Sequence, residues 1–325
     1  MYPEQLPHFE FLRSIYSYVP GVPLFFSISG FLISNILSLN FSFNKTKKAL
    51  LQSFYFRRVI RIFPIYYATI FFLFIVNVDS YRDWFIYDLL YITNIKQAIQ
   101  GSFSGSLAPH FWSLAVEEQF YLFWPFLLTL SKKANYQLAA SIVLFLIGCS
   151  ASILIEDHFV TARTVGCLSY LGSGAALGVI WARFSSVKTF LTKNINWVFI
   201  PSTAVVVIFI LTGVRFSYEV HLLIKVFFIF VLVSKFIIGF KNRVISTLLE
   251  LRVVIYLGRI SYGLYIYHLL VIIPLSGILL FLPESIKEMH LLIFISKIAL
   301  TIIVSILSWE LFEIKILKLK SKFKY

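Results

Sequence analysis

The chain has 325 residues, of which 59% are hydrophobic and 14% are charged, and its mean hydropathy is +0.86. Soluble domains are about 45–50% apolar and about 25% charged, so this composition excludes a water-soluble globule. The net charge of +14 does not indicate nucleic-acid binding, because the basic residues lie in short runs between apolar stretches, as they do in the loops that flank membrane spans.

Nine apolar stretches are long enough to cross a bilayer, which takes about 20 mainly apolar residues. They predict an all-α fold, a polytopic transmembrane helix bundle. In chain order the predicted spans are 22–39, 61–78, 111–131, 137–155, 164–184, 197–213, 220–238, 258–282 and 291–314. A further stretch, 84–99, is amphipathic and contains Asp88 and Lys96, which predicts an interfacial or re-entrant helix.

The loops between these spans alternate in charge, which predicts their sides of the membrane. Segment 40–61 carries six basic and no acidic residues, whereas 79–110 carries three acidic and two basic residues. Positive loops face the cytoplasm, so 40–61 and the basic tail 316–325 are predicted to be cytoplasmic. Residues 1–20 then form an extracytoplasmic loop. Residues 21–315 form one transmembrane domain in the cell membrane, since no internal repeat or flexible linker interrupts them.

Small residues inside the spans indicate packing rather than chemistry. Ser29 and Gly30, in GVPLFFSISGFLIS, form a patch on which another backbone can approach closely. Cys149 and Cys167 lie inside apolar stretches and behave as small buried hydrophobic residues. Neither a disulfide framework nor a metal site is therefore expected.

Three arginines stand where the first basic loop enters the second span, in FYFRRVIRIFPIYY. Arg58 and Arg61 are three residues apart, next to Arg57, and this spacing places the two on one helix face. Two guanidinium groups there could clamp the phosphates of a cytoplasmic ligand. The alternative is that the arginines only anchor the loop at the cytoplasmic surface.

Two carboxylates lie inside a predicted span, in HFWSLAVEEQFYLFWP. Glu117 is six residues past Phe111, which places it roughly 9 Å deep. Glu118 follows directly, and two adjacent carboxylates at that depth are too costly to face lipid. At least one must face the protein interior, as a general base, as the partner of a histidine, or as a structural hydrogen-bond acceptor for another helix.

A histidine lies deep in the eighth predicted span, at the end of GRISYGLYIYH. His268 is about 15 Å from the cytoplasmic end of that span. Ser261, Tyr265 and His268 are spaced by four and three residues, so they fall on approximately one helix face. Such a histidine is either a packing residue with satisfied hydrogen bonds or a catalytic group.

Taken together and in this order, the strings FFSISGFLIS, RRVIRIFPIYY, FWSLAVEEQFYLFWP and SYGLYIYH resemble the acyltransferase-3 family of membrane O-acyltransferases, over about residues 20–315. The resemblance implies a ten-helix domain with both ends in the cytoplasm. It also implies transfer of an acyl group, commonly acetyl, from cytoplasmic acyl-CoA as co-substrate to a hydroxyl of an extracytoplasmic glycan. The implied partners are membrane lipid and a glycan or lipid-linked glycan, with no bound cofactor.

The resemblance also implies roles for individual residues. Glu117 and His268 match family motif residues and are the candidate catalytic groups, while Arg58 and Arg61, with Arg57, are the candidate acyl-CoA-binding groups. Residues expected to shape the site are Ser29, Gly30, His110, Trp112, Ser113, Tyr121, Ser261, Tyr265 and Glu313. Glu313 matches a glutamate of the family's last helix, although the proline usually found two residues later is absent.

One family element is unmatched. The family's first helix carries an Arg or Lys and, about ten residues later, the histidine regarded as its catalytic base. His8 follows no apolar helix and does not match that histidine. We expect an in-frame upstream extension of about 20–40 residues that supplies this helix. Without it, we expect a catalytically impaired protein.

Two other functions remain open at this level. One is a membrane transporter or flippase for a lipid-linked sugar or solute. Transporters often contain internal repeats and broken helices. No repeat is visible here, although Pro274 could break one span. The other is an inactive scaffold, if the first helix is truly absent.

Overall fold

The computed structural model describes residues 21–42, 46–103, 106–155, 163–214, 216–240, 242–271, 275 and 290–319. Within these ranges the chain is helical or forms turns between helices, and no strand occurs. The prediction of an all-α, polytopic fold is confirmed. The predicted extracytoplasmic loop 1–20 lies outside the described residues, as do residues 320–325 of the predicted tail.

Each predicted span contains a helix, and most of these helices have the predicted extent. In chain order they are α1 (Gly21–Ser42), α2 (Lys47–Val76), α3 (Arg82–Leu89), α4 (Thr93–Gln100), α5 (Phe111–Leu128), α6 (Ala134–Leu154), α7 (Thr164–Arg183), α8 (Ser185–Thr212), α9 (Tyr218–Ile238), α10 (Arg243–Leu249), α11 (Arg252–Tyr267), α12 (His290–Ser308) and α13 (Ile314–Leu317). A 3-10 turn at Val78–Ser80 follows α2, and a π-helical turn at Trp309–Glu313 joins α12 to α13.

In the part of the chain that the structure describes, seven helices are long and apolar enough to cross a membrane. They are α1, α2, α6, α7, α8, α9 and the stretch Leu292–Leu317. The other two predicted spans coincide with α5, which carries both Glu117 and Glu118, and with α11, which is 16 residues long. The chain is therefore a multi-pass membrane protein.

Four predicted elements differ from the structure in their extent. Helix α2 begins at Lys47, 14 residues before the predicted span 61–78, and α8 begins at Ser185, 12 residues before the predicted span 197–213, because each helix includes the basic segment that precedes the span.

The amphipathic stretch 84–99 forms two short helices, α3 and α4, instead of one. The backbone of Tyr91 between them has a φ of 53°, in the left-handed region that interrupts a helix. The apolar stretch 258–282 was predicted as one span, but α11 begins at Arg252 and ends at Tyr267, directly before His268. Residues 272–274 and 276–289 lie outside the described residues.

The described residues fall into two compact units. The first unit comprises the described parts of Met1–Leu51, Asn94–Gly101 and Ser113–Lys241. The second unit comprises the described parts of Gln52–Thr93, Ser102–Trp112 and Asn242–Tyr325.

Close helix packing organises the first unit, in which α7 packs against both α1 and α6. Glycines permit this approach. A Cβ atom at Gly30 of α1 would lie 2.1 Å from the backbone oxygen of Leu171, and one at Gly174 of α7 would lie 1.9 Å from that of Ser27. Both distances are far below van der Waals contact, so only glycine fits at either position.

In the second unit, hydroxyl groups tie the helices together. The Tyr262 hydroxyl of α11 donates a hydrogen bond to the backbone oxygen of Ile62 in α2, at 3.0 Å. The hydroxyls of Tyr267 and Ser308 lie 3.1 Å apart and join α11 to α12, which pack against each other. Apolar packing alone is a weak guide to register in lipid, and these polar contacts set it.

Candidate functional site

The first cluster of functional side chains lies in the first unit, around Glu117. Only 3% of the Glu117 surface is exposed. The Ser29 hydroxyl of α1 donates a hydrogen bond to Glu117 Oε1. The Tyr121 hydroxyl, one helical turn beyond Glu117 on α5, donates to Ser29 Oγ at 3.1 Å. The three groups therefore form a relay of hydrogen bonds that ends on the carboxylate.

The pairing of α1 with α5 holds this relay in place. One helical turn after Tyr121, Trp124 Nε1 donates to Ser34 Oγ at 2.8 Å. Serines five residues apart on α1 thus meet successive aromatic side chains on α5. This spacing fixes the register of the two helices, which run in the same direction, and keeps Ser29 on Glu117. Ser113, one turn before Glu117, is also buried.

The second cluster lies in the second unit, where His110 and His268 meet. The two imidazole ring centroids are 4.6 Å apart, at an angle of 67°. The Tyr265 hydroxyl donates to the backbone oxygen of His110 at 2.7 Å. His110 Nε2 lies 3.1 Å from the backbone oxygen of Ile266 and donates to it, because a carbonyl only accepts. The segment before α5 is thereby fastened to the end of α11.

Hydrogen bonds also fix which nitrogen of His268 carries the proton. Nδ1 lies 2.7 Å from the backbone oxygen of Tyr265 and donates to it. A neutral His268 therefore has its lone pair on Nε2. His268 as a whole is exposed.

His110 differs from His268 in its environment. Its side chain is 8% exposed. Burial, with His268 as a second cause, lowers the pKa of His110 to about 3. His110 is therefore neutral near pH 7 and holds its neighbour in place without adding charge.

A third group, in the second unit, surrounds Glu313. The π-helical turn places this carboxylate at 6% exposure, where the Ser308 hydroxyl donates to Oε1 at 3.3 Å. Arg61 interacts electrostatically with the same carboxylate, although its side chain is exposed. Arg57 and Arg58 are half-buried and also make contacts.

The structure brings together some predicted site residues and separates others. Ser29, Glu117 and Tyr121 form one cluster, and His110, Tyr265 and His268 form another. Ser261 is exposed and does not continue the second cluster, although its spacing placed it on the same face. Trp112 is half-buried and lies beside Phe103, with ring centroids 6.0 Å apart.

Sequence reasoning missed two polar groups. Asp88 is fully buried in the second unit, where the hydroxyls of Tyr81 and Thr93 donate to its two carboxylate oxygens. Burial, with Asp88 as the next cause, raises the pKa of Tyr81. The presence of an aspartate in an otherwise apolar stretch was the available signal, but it did not reveal these partners.

The second missed group is a closed ring of hydrogen bonds in the first unit. Gln119 Nε2 donates to Asn94 Oδ1 at 3.0 Å, and Asn94 Nδ2 donates to Thr164 Oγ1 at 3.0 Å. The Thr164 hydroxyl in turn donates to Gln119 Oε1. The ring joins α4, α5 and α7. No local sequence pattern marks it, because its members are far apart in the chain.

Comparisons with known proteins show what the chain is similar to. A family model described as an acyltransferase domain matches residues 2–310. A candidate acetyltransferase of Acidianus two-tailed virus, ORF330, is 30% identical over 270 residues, covering 80% of this chain and 76% of the relative. The peptidoglycan O-acetyltransferase OatA of Listeria monocytogenes is 28% identical, covering 92% of this chain and 51% of that protein. The O-acetyltransferase OatA of Staphylococcus aureus is 27% identical over a match that covers 92% of this chain and 52% of that protein.

No solved structure matches the chain. The chain spans about half the length of the two OatA relatives. The match to the acyltransferase model, however, covers nearly the whole chain and includes every motif on which the resemblance was based. It favours an acyltransferase over a transporter. The chain belongs to the acyltransferase-3 family of membrane O-acyltransferases.

Proposed function

We propose that this protein transfers an acetyl group from cytoplasmic acetyl-CoA to a hydroxyl group of a glycan on the outer side of the membrane. Family membership supports acyl transfer, and the names of both OatA relatives support acetyl as the group. The name of the Listeria relative specifies peptidoglycan, which supports a glycan acceptor. The observation that carries the proposal is the geometry of His268.

His268 is the proposed general base. Its Nδ1–H is held by the backbone oxygen of Tyr265, so the neutral ring presents the lone pair of Nε2. The His110 ring packs against it, and Tyr265 and Ile266 hold His110 in turn. A base needs this kind of fixed orientation, because proton transfer depends on the alignment of donor and acceptor.

In the proposed reaction, Nε2 of His268 accepts the proton of the acceptor hydroxyl. The hydroxyl oxygen attacks the thioester carbonyl, a C–O bond forms, and the C–S bond breaks. The thiolate of CoA leaves and takes up the proton that the histidinium gives up, which restores the neutral histidine. No oxidant or reductant is required.

The arginines of α2 are the proposed binding groups for the donor phosphates. Arg57, Arg58 and Arg61 belong to the same compact unit as His268. Guanidinium groups bind phosphate through two parallel hydrogen bonds, which suits the diphosphate of CoA. We expect both Arg58 and Arg61 to contribute to donor binding.

Glu117 is a second proposed catalytic group. Its carboxylate is buried at a membrane depth where a charge is costly, and it accepts a hydrogen bond from Ser29. A structural carboxylate needs only this hydrogen bond, whereas a catalytic one also has to gain and lose a proton. Glu117→Gln separates these roles, since glutamine retains an acceptor oxygen but does not titrate.

The proposed role of His268 is tested with membranes that contain the protein and its native acceptor. Radiolabelled acetyl-CoA is added, and label in the glycan is counted. We expect His268→Gln to lower the rate by about 10²–10⁴, the usual contribution of a general base. Val253→Ala, a change at an exposed position of the same helix, is the control and should retain the wild-type rate. Wild-type activity in His268→Gln at equal protein level would exclude it as the base.

A further inference from the structure

An apolar cavity of about 440 Å³ lies in the first unit, between α6, α7 and α9. Its walls include Ile142 and Phe145 of α6, Ala176 of α7, and Val226 and Phe230 of α9. These residues lie near the middle of three membrane-crossing helices. A cavity so placed is open to hydrocarbon rather than to water.

The cavity offers no polar group to a ligand. Ser173 is the polar member of its lining, and the Ser173 hydroxyl already donates to the backbone oxygen of Tyr170 at 2.8 Å. Ordered water needs two to four polar partners, so water does not fill this space. Ile142, Leu223 and Phe227 of the lining are exposed on the outer surface, so a chain can enter from the bilayer.

A basic cluster lies where α6 begins, α7 ends and α8 begins. It consists of Lys132, Lys133, Arg183 and Lys188. The Arg183 guanidinium donates to the backbone oxygen of Lys132 at 3.2 Å, which brings the end of α7 to the loop before α6. Lys132 Nζ lies 5.2 Å from the Phe41 ring centroid, and Lys188 Nζ lies 4.5 Å from that of Trp181.

This basic cluster has no anionic neighbours in its own segments. Residues 131–134 and 181–196 contain neither aspartate nor glutamate. Four cations without a local counter-charge favour an anion at this position. The aromatic rings beside two of them are typical of the depth at which lipid headgroups lie.

The spacing between the cavity and the basic cluster matches the dimensions of one lipid. Arg183 follows Ala176 by seven residues, which is the same face of α7 about 10 Å further along. Lys133 precedes Ile142 by nine residues, or about 13 Å along α6. Half of the hydrocarbon thickness of a bilayer is about 15 Å. A headgroup phosphate on the cluster would thus place the middle of its acyl chain at the cavity.

We propose that the first unit holds an anionic phospholipid, with its headgroup phosphate on the basic cluster and an acyl chain in the cavity. The acyl chain of the lipid makes van der Waals contacts with the cavity walls, which an empty cavity would lack. The phosphate compensates cations whose own segments, 131–134 and 181–196, contain no carboxylate.

The test uses the full-length protein in phosphatidylcholine vesicles that contain a trace of photoreactive phosphatidylglycerol, with the reactive group in mid-chain. Labelled peptides are mapped by mass spectrometry. We expect labelling of α6, α7 and α9. Ala176→Phe should lower it at least about tenfold by filling the cavity, a change of about 1.4 kcal/mol in binding. Val207→Phe, which places the same aromatic side chain at an exposed position of α8, should leave the labelling unchanged. Ala176→Leu replaces the first variant if that one does not fold.

The headgroup is tested with the double variant Lys132→Gln/Lys133→Gln. We expect it to lower the preference for photoreactive phosphatidylglycerol over photoreactive phosphatidylcholine by about 30-fold. Arg163→Gln, at the opposite end of α7, is the control and should leave the preference unchanged. Equal labelling of the cavity by both wild-type probes, unchanged labelling in Ala176→Phe, or displacement of the lipid by soluble CoA would each overturn the proposal.

Discussion

Replacing Glu117 with glutamine separates a catalytic role from a structural one. Glutamine retains a carbonyl oxygen at the position of Oε1, so the Ser29 hydroxyl can still donate to it. A hydrogen bond to a charged group contributes about 1.5–3 kcal/mol and a neutral one about 0.5–1.5 kcal/mol. The change should therefore destabilise the fold by about 1 kcal/mol, which leaves protein level near that of the wild type.

The effect of Glu117→Gln on turnover should be much larger than its effect on stability. If the carboxylate takes or gives a proton during acyl transfer, the rate should fall by about 10²–10⁴. The assay counts radiolabel passed from acetyl-CoA to glycan and is normalised to folded protein by size-exclusion chromatography. Tyr121→Phe removes the hydroxyl that donates to Ser29 Oγ, leaves the Glu117 carboxylate in place, and should have a milder effect on turnover.

Glu118→Gln is the matched control. Its side chain is half-buried and points about 100° away from that of Glu117 around the helix axis. We expect this variant to retain most of the rate. The reasoning is refuted if Glu117→Gln retains most of its activity, or if the Glu118 variant is the more sensitive of the two.

Individual contacts lead to four further predictions. Arg58→Ala should weaken acetyl-CoA binding by about 10- to 100-fold. Arg58→Lys should not restore binding, because an ammonium group cannot make the two-point contact of a guanidinium group. An unchanged KM for acetyl-CoA would show that Arg58 only anchors the segment at the membrane surface. Gly30→Ala should lower the free energy of unfolding in detergent by about 1–3 kcal/mol, because the added Cβ would lie 2.1 Å from a backbone oxygen. In the control Gly258→Ala, the added Cβ meets nothing within 4 Å, so its melting temperature should be higher than that of Gly30→Ala. Equal melting temperatures of the two variants would contradict this reasoning. Asp88→Asn should lower the free energy of unfolding by about 1–3 kcal/mol, because one of the two hydroxyls that donate to Asp88 loses its acceptor. Burial and then Asp88 raise the pKa of Tyr81 in the folded protein, whereas tyrosine in the unfolded chain ionises near about pH 10. The melting temperature of the wild type should therefore fall as the pH rises above about 10, and that of Tyr81→Phe should fall less.

The spans could be predicted from the sequence because lipid imposes a simple rule. A backbone in hydrocarbon must satisfy its own hydrogen bonds, so long apolar stretches form helices. The same rule does not predict where a helix ends inside an apolar stretch. Helix α11 ends at Tyr267, and the next residue, His268, donates a hydrogen bond to the backbone oxygen of Tyr265. The hydropathy of the sequence does not predict that hydrogen bond.

The candidate site could be predicted as individual residues but not as clusters. Glu117 and His268 were identified because ionisable groups in spans are costly. Their partners were not paired with them, since Ser29 lies 88 residues before Glu117, and His110 lies more than 150 residues before His268. The closed ring of Asn94, Gln119 and Thr164 depends entirely on such long-range contacts, and periodicity within one helix does not reveal it.

The direction of transfer across the membrane tests the central claim most directly. Purified protein is reconstituted with a glycan acceptor in vesicles, and radiolabelled acetyl-CoA is supplied only on the side of the basic segment 40–61. The account predicts that label accumulates on glycan on the opposite side and that His268→Gln abolishes this accumulation. Absence of labelled glycan in wild-type vesicles of proven integrity, or labelling only when acetyl-CoA is supplied on the glycan side, would contradict it.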